Sequence, residues 1–474
     1  MKLGELTGTT YDENITSLAF DARAVRPGAL FFCLVGRNDD GHEYLTEAVR
    51  NGAVAAVVER LLPVPVPQIV VPDSRRALAQ LAKRFYGCIS EKLSISAVTG
   101  TNGKTTTTYI LRNILSSCGK KVGIIGTNEV SYCGKTRVAT LTTPDPIELH
   151  GIFRDMADSG VEFVAMEASA HALALKKLDG ISFSSVGFTN FTRDHLDYFG
   201  DMEAYGRAKA SLFSKERSRI AVINTDDDFG MKLYGERTDA ITYGKHGYVR
   251  AENAEYNADG TSFTLKIGDE RAAAHLNLPG QYNLYNALCA AGMAFGMGIS
   301  VKDIVRGLSQ HIEVSGRFET VKCDKGTVII DYAHTDDGLA NLLEAVRGFA
   351  RGRIITVFGC GGNRDKSKRP LMWRAAAERS DYIVLTSDNP RFENPDSIIS
   401  DVLCGIKTAR SVEYSVQPDR LKAIKTALTV MENGDTVVIA GKGAEKYQEI
   451  NGVKYPFDDK EIVKKLLAEK SDDD

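Results

Sequence analysis

Ala97-Val98-Thr99-Gly100-Thr101-Asn102-Gly103-Lys104-Thr105-Thr106-Thr107 is the stretch on which the reading of the fold turns. An alternating apolar run, Leu93–Val98, precedes it and a helix-like segment, Tyr109–Leu115, follows, so strand, glycine loop and helix succeed one another. That order is what phosphate binding requires. Glycine lets successive N–H groups face a polyphosphate, and the following helix adds free N–H groups and the positive end of its dipole. Lys104 would neutralise the terminal phosphates and the Thr105 hydroxyl would hold Mg²⁺. The plainer reading is a glycine turn with a solvated lysine, and the Gly-Lys-Thr ending after an apolar strand speaks against it. Thr101 and Asn102 alone separate Gly100 from Gly103. The widespread nucleotide loop has about four residues there, so this loop belongs to a particular subclass.

A chain of 474 residues exceeds what one core supports, so two or three domains are expected. Hydrophobic residues at 43% and charged residues at 26% are ordinary for a globular protein, and a net charge of -3 gives no reason to expect nucleic acid or an anionic membrane as partner. No run approaches the roughly 18 apolar residues of a membrane span, and no leader-like apolar core follows the early lysine, so a cytoplasmic protein without membrane insertion is expected. The 8 cysteines are scattered without a Cys-x-x-Cys pair, which favours free thiols over disulfides or zinc.

Outward from the loop, the segment 1–91 reads as a small α/β unit: strands Ala29–Leu34, Ala53–Val58 and Gln68–Val71, with a helical pattern over Glu43–Asn51. The segment 92–314 adds strands Val122–Ile125, Phe163–Glu167, Ser185–Thr189 and Ile220–Ile223. Helices are expected over Ile147–Ser159 and Asp201–Phe213, hairpins between Tyr243 and His275, and a long alanine-rich helix opening at Leu278–Ala287 whose early asparagines face a nucleotide base. Parallel α/β sheets bind ligands at the carboxyl ends of their strands. Glu167 and His195 both follow such ends, and Glu167 with Thr105 would complete a Mg²⁺ site. In 315–474, strands Val328–Asp331, Arg353–Phe358, Tyr382–Thr386 and Thr436–Ala440 alternate with helices and predict a second parallel sheet. Polar loops close each of them: Asp331–Thr335, Gly359–Arg369, Asp388–Arg391 and Gly441–Glu445. Ser471–Asp474 reads as a frayed acidic tail.

Taken in order, Asp21–Phe31, Thr99–Thr107, Thr142–Pro146, Glu167–His171, Asn190–Asp197, Asp331–His334, Gly359–Pro370 and Asp388–Arg391 resemble the motifs of the ATP-dependent Mur ligases, in particular the branch adding the third residue of the peptidoglycan stem peptide. The resemblance spans nearly the whole chain. It implies three α/β domains: 1–91 for the UDP end of the substrate, 92–314 as a central P-loop ATPase with a mainly parallel sheet, and 315–474 as a Rossmann-like domain that brings in the amino acid. It also implies ATP and Mg²⁺ as cofactors, UDP-N-acetylmuramoyl-L-alanyl-D-glutamate as substrate, and a monomer.

Carried over residue by residue, the resemblance assigns the ATP phosphates to Gly100, Thr101, Asn102, Gly103, Lys104, Thr105 and Thr106, adenine to Asn283, and the nucleotide's other side to Arg317, Asp331 and His334. Metal would lie on Thr105, Glu167, His195 and Lys209, the last carried as a carbamate (N6-carboxylysine), since an ammonium would repel the ion. Ala22, Thr142, Thr143, Ser169 and Lys177 would hold the UDP-muramoyl dipeptide. Ala22 stands where a serine is common, Lys177 where an arginine is usual, Ala170 where a second serine is usual and Ala444 where a histidine is frequent. Arg364, Asp388, Asn389, Pro390, Arg391, Gly441 and Glu445 would take the amino acid. Arg391 suits the distal carboxylate of meso-diaminopimelate as a two-point fork, a group L-lysine lacks. The alternatives are a lysine-adding homologue, a folylpolyglutamate-synthase-like ligase, and a non-catalytic nucleotide-binding regulator, against which Lys104, Glu167, His195 and Lys209 argue.

Overall fold

The computed structural model describes residues 1–37 and 39–471, so Asp472–Asp474 of the expected acidic tail lie outside the described residues. Ser471 itself closes the helix Asp459–Ser471. The chain forms two compact units, one of Met1–Thr99, Gly119–Val186 and Ala208–Ala221, the other of Gly100–Cys118, Gly187–Arg207 and Val222–Asp474.

In the first unit a parallel sheet is ordered Ser17–Ala19, Ala29–Phe32, Ala53–Val58, Gln68–Val70. Side chains alternate across it. Leu30, Phe32, Ala55 and Val57 pack with Leu78, Leu81 and Ala82 of the helix Ser74–Phe85, while Phe31, Cys33, Ala56 and Val58 pack with Leu45 and Ala48. The segment expected as one helix over Glu43–Asn51 is a 3₁₀ turn, Gly41–Tyr44, followed by a short α-helix, Leu45–Arg50. The Asp40 side chain caps the turn by accepting from the His42 N–H.

The middle sheet is ordered Glu270–Leu276, Gly260–Ile267, Val249–Asn257, Ile241–Tyr243, Ser218–Asn224, Phe183–Phe188, Ser94–Thr99, Phe163–Glu167, Val122–Ile125, Glu129–Tyr132, Lys135–Val138. The sequence reading passes over its last two strands, an antiparallel hairpin between Ile125 and Thr142. Half-exposed or exposed along much of their length, they carry little apolar periodicity. The helix expected over Asp201–Phe213 is α-helical for Met202–Ala210 and 3₁₀ for Ser211–Phe213.

One buried histidine in this region carries a pH dependence. His150, on the helix Pro146–Asp158, is 1% exposed, and neither ring nitrogen has a hydrogen-bond partner among the described residues. It packs edge-on against Phe153 at 5.7 Å. Burial, and then the charge of Lys83, lowers its pKa from 6.5 to about 4. The unfolded chain therefore binds the proton first as pH falls. Stability from a neutral His150 is present above the unfolded value and drains away between pH 6.5 and about 4, by up to about 3 kcal/mol. His150→Leu is expected to flatten the fall in urea midpoint across that window, and an unchanged slope would refute the assignment.

In the second unit a six-stranded sheet is ordered Glu319–Cys323, Gly326–Asp331, Asp435–Ala440, Ile354–Phe358, Tyr382–Leu385, Glu413–Val416. The four strands expected here run parallel to one another, and Glu319–Cys323, which the sequence reading does not name, runs antiparallel at the first edge. Ile329 faces the helices carrying Leu339, Leu342, Met372 and Trp373, whereas Val328 and Ile330 face those carrying Ala423, Ile424 and Val463. Helices on both faces leave the strand ends as the polar edge, which is where the candidate residues lie.

Candidate active site

The phosphate loop belongs to the second unit. Gly100 and Gly103 have φ of +151° and +86°, and a Cβ at either would lie 1.8 Å from Thr189 Oγ1 or 2.2 Å from Asn286 Oδ1. Glycine is demanded here both by backbone conformation and by close packing. Asn190 braces the loop from outside, accepting the Thr101 N–H on its carbonyl and the Asn102 N–H on its side chain, each at 2.9 Å. Thr101 Oγ1 donates to the Thr192 carbonyl at 3.0 Å and accepts the Thr192 N–H at 3.0 Å. The Lys104 ammonium folds back onto the loop, donating to the carbonyls of Gly100 at 3.0 Å and Thr101 at 2.8 Å. Helix Lys104–Ser117 begins there with Gly103 as its cap, so its first N–H groups are directed along the loop.

A cavity of about 460 Å³ opens beside the loop, in the range of small-molecule sites. Asn102, Gly103, Thr106, Asn283, Arg317 and Asp331 line it, so six of the residues expected at the nucleotide share one cavity. Asn283 is buried on helix Gln281–Gly296, its amide donating to the Pro279 carbonyl at 2.8 Å. Arg317 stacks 4.5 Å over the Tyr332 ring and donates to Thr105 Oγ1 at 3.3 Å. Asp331 accepts N–H groups of Phe318 and Ala333, both at 2.8 Å. Burial pushes its pKa up, against the pull of Arg317 and those two bonds.

His195 and His334 converge on a residue the sequence reading did not single out. Asp194 lies 3.3 Å from His195 Nε2, 3.9 Å from His334 Nε2 and 4.0 Å from Lys368 Nζ. Burial works against its charge, but His195, His334 and Lys368 together hold its pKa below the usual carboxylate range. His334 is pushed below the ordinary imidazole value by desolvation first and then by Lys368. Water at the 38% of its side chain still exposed softens that shift. The Asp-His pair inside Asn190–Asp197 is the signal that would have found Asp194. Lys368, whose ammonium also donates to the His334 carbonyl at 3.0 Å, arrives from a distant loop.

The loop Asp388–Arg391 is held by the end of strand Asp435–Ala440. Lys442, fully buried, bridges Asn389 Oδ1 and Glu445 Oε2 at 3.1 Å each, and the Asn389 amide donates to Glu445 at 2.8 Å. A Cβ on Gly441 would lie 2.6 Å from Asp388 Oδ2 and one on Gly361 2.9 Å from an Arg391 nitrogen. Arg391 donates to the Gly362 carbonyl at 2.9 Å, and a Gly361 Cβ would also meet Arg364. Arg364 lies 4.0 Å from Asp197. Expected residues from Arg364 to Glu445 thus gather around one loop system. Lys442 and the buried Arg369, which grips Glu393 with two nitrogens at 2.9 and 3.0 Å, complete it without having been predicted.

Glu167, Thr142, Thr143, Ser169, Lys177, Lys209 and Ala22 lie in the first unit. Glu167 is 1% exposed at the end of its strand, accepting the Thr127 N–H at 2.7 Å and hydroxyl at 3.0 Å. Gly126 leaves room for that carboxylate, since a Cβ there would lie 2.4 Å from Oε1. Thr143 donates to the Glu167 carbonyl at 2.9 Å and accepts the Ser169 N–H at 3.1 Å, and Thr142 Oγ1 is 3.1 Å from Thr127 Oγ1. Lys177 pairs with Asp145 at 2.8 Å, and Lys209 is buried on its helix. Ala22 is buried in the 3₁₀ turn Ala22–Ala24. A second cavity, of about 410 Å³, is lined by its neighbours Asp21 and Ala24 together with Asp145 and Glu148. Among the described residues no three His, Cys, Asp or Glu side chains are grouped to hold a metal ion. No helix there is long and apolar enough to cross a membrane.

Known proteins share this domain order and fold. The Mur ligase family catalytic domain matches residues 14–86, the Mur ligase middle domain 98–294 and the Mur ligase glutamate ligase domain 316–443. The UDP-N-acetylmuramoyl-L-alanyl-D-glutamate–2,6-diaminopimelate ligase of Aquifex aeolicus is 42% identical over 460 residues, covering 96% of this chain and 94% of its own. That of Geobacillus thermodenitrificans is 44% identical over 471 residues, covering 96% of each. A solved structure of a ligase of that name superposes with a TM-score of 0.71 at 32% identity over 99% of both chains. By fold, domain order and full-length similarity, the chain belongs to the Mur ligase family, in its MurE-type branch.

Proposed function

We propose that the protein joins meso-diaminopimelate to UDP-N-acetylmuramoyl-L-alanyl-D-glutamate at the expense of ATP, in the cytoplasm where both nucleotides reside. The observation that carries this reading is the loop Asp388–Arg391 with Lys442 and Glu445 against it, on a chain whose full-length relatives bear the diaminopimelate ligase name. Three segments divide the work: 1–91 for the UDP end, 92–314 for ATP, and 315–474 for the amino acid. One copy carries every loop invoked, so a monomer suffices.

A free carboxylate is a poor electrophile. Transfer of the ATP γ-phosphate to the D-glutamate carboxylate gives an acyl phosphate and ADP; the diaminopimelate amine then attacks the acyl carbon, the amide forms, and phosphate leaves. Charge crowds onto phosphoryl oxygens in the first step, and Lys104 with the loop N–H groups would neutralise it. Asn102, Thr106, Asn283, Arg317, Asp331 and His334 would orient the nucleotide, with Asp194 fixing the two imidazoles. Ala22, Thr142, Thr143, Ser169 and Lys177 would hold the muramoyl dipeptide. Thr105, Glu167 and a carbamylated Lys209 would offer Mg²⁺ the oxygen ligands that a hard cation takes, with His195 as the one nitrogen donor of the set; bound there it would shield the phosphate charge. Glu167, its carboxylate oriented by Thr127, fits that donor set.

Arg391 and Arg364 would grip the distal carboxylate, and Glu445 the distal ammonium. Offered an amino-acid panel with UDP-muramoyl dipeptide and ATP, the purified protein is expected to form the diaminopimelate product at least about 10²-fold faster than the L-lysine product, because lysine leaves the guanidinium unpaired. Mass analysis of the product reads the answer. Preferential lysine incorporation would overturn the assignment.

A further inference from the structure

The hairpin Tyr447–Ile450 and Val453–Pro456 follows the Gly441–Glu445 loop and has no part in the scheme above. It nevertheless touches three residues of the loop Asp388–Arg391 proposed to take the amino acid. Gln448 donates its amide to the Asp388 carbonyl at 2.6 Å, and the Glu449 N–H donates to Asn389 Oδ1 at 2.9 Å. Arg391 donates its N–H to the Glu449 carbonyl at 3.0 Å and accepts the Asn451 N–H at 2.7 Å, a parallel bridge to the hairpin edge.

Arg391 needs that support. Its φ is +52°, a left-handed conformation that a residue with a Cβ avoids unless its surroundings impose it. The side chain is tied to the same strand: Nε lies 3.5 Å from Glu449 Oε2, while a second nitrogen donates to the Gly362 carbonyl at 2.9 Å. Both Arg391 and Glu449 side chains are 22% exposed, so the pair is largely shielded from solvent. Two anchors on different nitrogens fix the plane of a guanidinium, and a fixed plane is what two-point recognition of a carboxylate needs.

We infer that Glu449 is a positioning residue for amino-acid selection, holding Arg391 so that its guanidinium meets the distal carboxylate of the incoming diamino dicarboxylic acid. This rests on the substrate choice proposed above. Glu449 acts through Arg391 and has no step of its own in the chemistry.

The test is steady-state kinetics on the full-length protein with Glu449→Ala, Glu449→Gln, Arg391→Ala and the double variant Arg391→Ala/Glu449→Ala. Glu449→Ala is expected to raise KM for meso-diaminopimelate about tenfold, with kcat and the KM values for ATP and the UDP-dipeptide within about twofold. Glu449→Gln, which keeps the size and an acceptor, should show a smaller rise of about threefold and serves if the alanine variant folds poorly. In the Arg391→Ala background the further change should be under about twofold, since the intermediary is gone. An unchanged KM for diaminopimelate, an equal rise in all three KM values, or a full tenfold effect without Arg391 would each refute the role of Glu449. A wild-type protein that ignores diaminopimelate would sink the substrate reading and this inference with it, whereas wild-type use of diaminopimelate beside an unaltered Glu449→Ala sinks the inference alone.

Discussion

Lys104→Met is expected to lower substrate-dependent phosphate release by about 10³-fold or more while leaving the protein folded. Methionine keeps the length and the apolar stem, so what disappears is the charge. In the loop that charge is held by the carbonyls of Gly100 and Thr101, at 3.0 and 2.8 Å, within the backbone curve that would receive the phosphates. Phosphoryl transfer asks little covalent chemistry of a protein and a great deal of electrostatic complementarity, so a missing cation appears chiefly in kcat. The loop survives because its bracing comes from Asn190, Thr192 and Thr189. Phosphate release by the variant at more than about a tenth of the wild-type rate would remove the glycine loop from the reaction.

Asp459→Ala is expected to destabilise the second unit by about 3–5 kcal/mol, the largest stability effect named here. Arg420 and Asp459 form a two-point pair at 2.9 and 2.7 Å with both side chains wholly shielded from solvent. Removing the carboxylate strands a guanidinium whose remaining bond reaches the Ala440 carbonyl at 3.1 Å. A joint Arg420→Met/Asp459→Leu replacement removes both charges and should cost far less, within about 1–2 kcal/mol of the parent. Urea midpoints of the two variants measure the contrast. If the single and double changes destabilise equally, shape and not stranded charge governs the site. Ala440 precedes Gly441 and Lys442, so the single variant should also disturb amino-acid binding.

Local signals carried much of this architecture. Strands Ala53–Val58, Val122–Ile125 and Phe163–Glu167 fall where their apolar runs place them, because a strand buried on both faces has no polar positions to blur its ends. The loop from Gly100 to Thr107 was legible because glycine spacing and a following helix are contiguous. What sequence reading passed over is of three kinds. The hairpin Glu129–Val138 and the edge strand Glu413–Val416 are substantially exposed, so their periodicity is weak. The helix Ser74–Phe85, absent from the sequence reading, carries its own local signals in the Asp73 cap and in Leu78, Leu81 and Ala82. Lys368 and Glu449, and Lys442 in its bond to Asn389, act through partners far off in the chain, and spacing alone cannot show such pairs.

Four residues in the loops of the candidate site share a backbone peculiarity. His195, Phe318, Asn363 and Arg391 all sit in the left-handed region, at φ between 49° and 56°. Selection for a hardier chain would favour glycine at these points, yet glycine would erase the imidazole, the ring or the guanidinium standing there. Proline and branched residues are barred outright by the backbone. Drift toward heat tolerance is thus closed off at these positions, and tougher descendants of this protein must find their gains in the sheets and helices away from them.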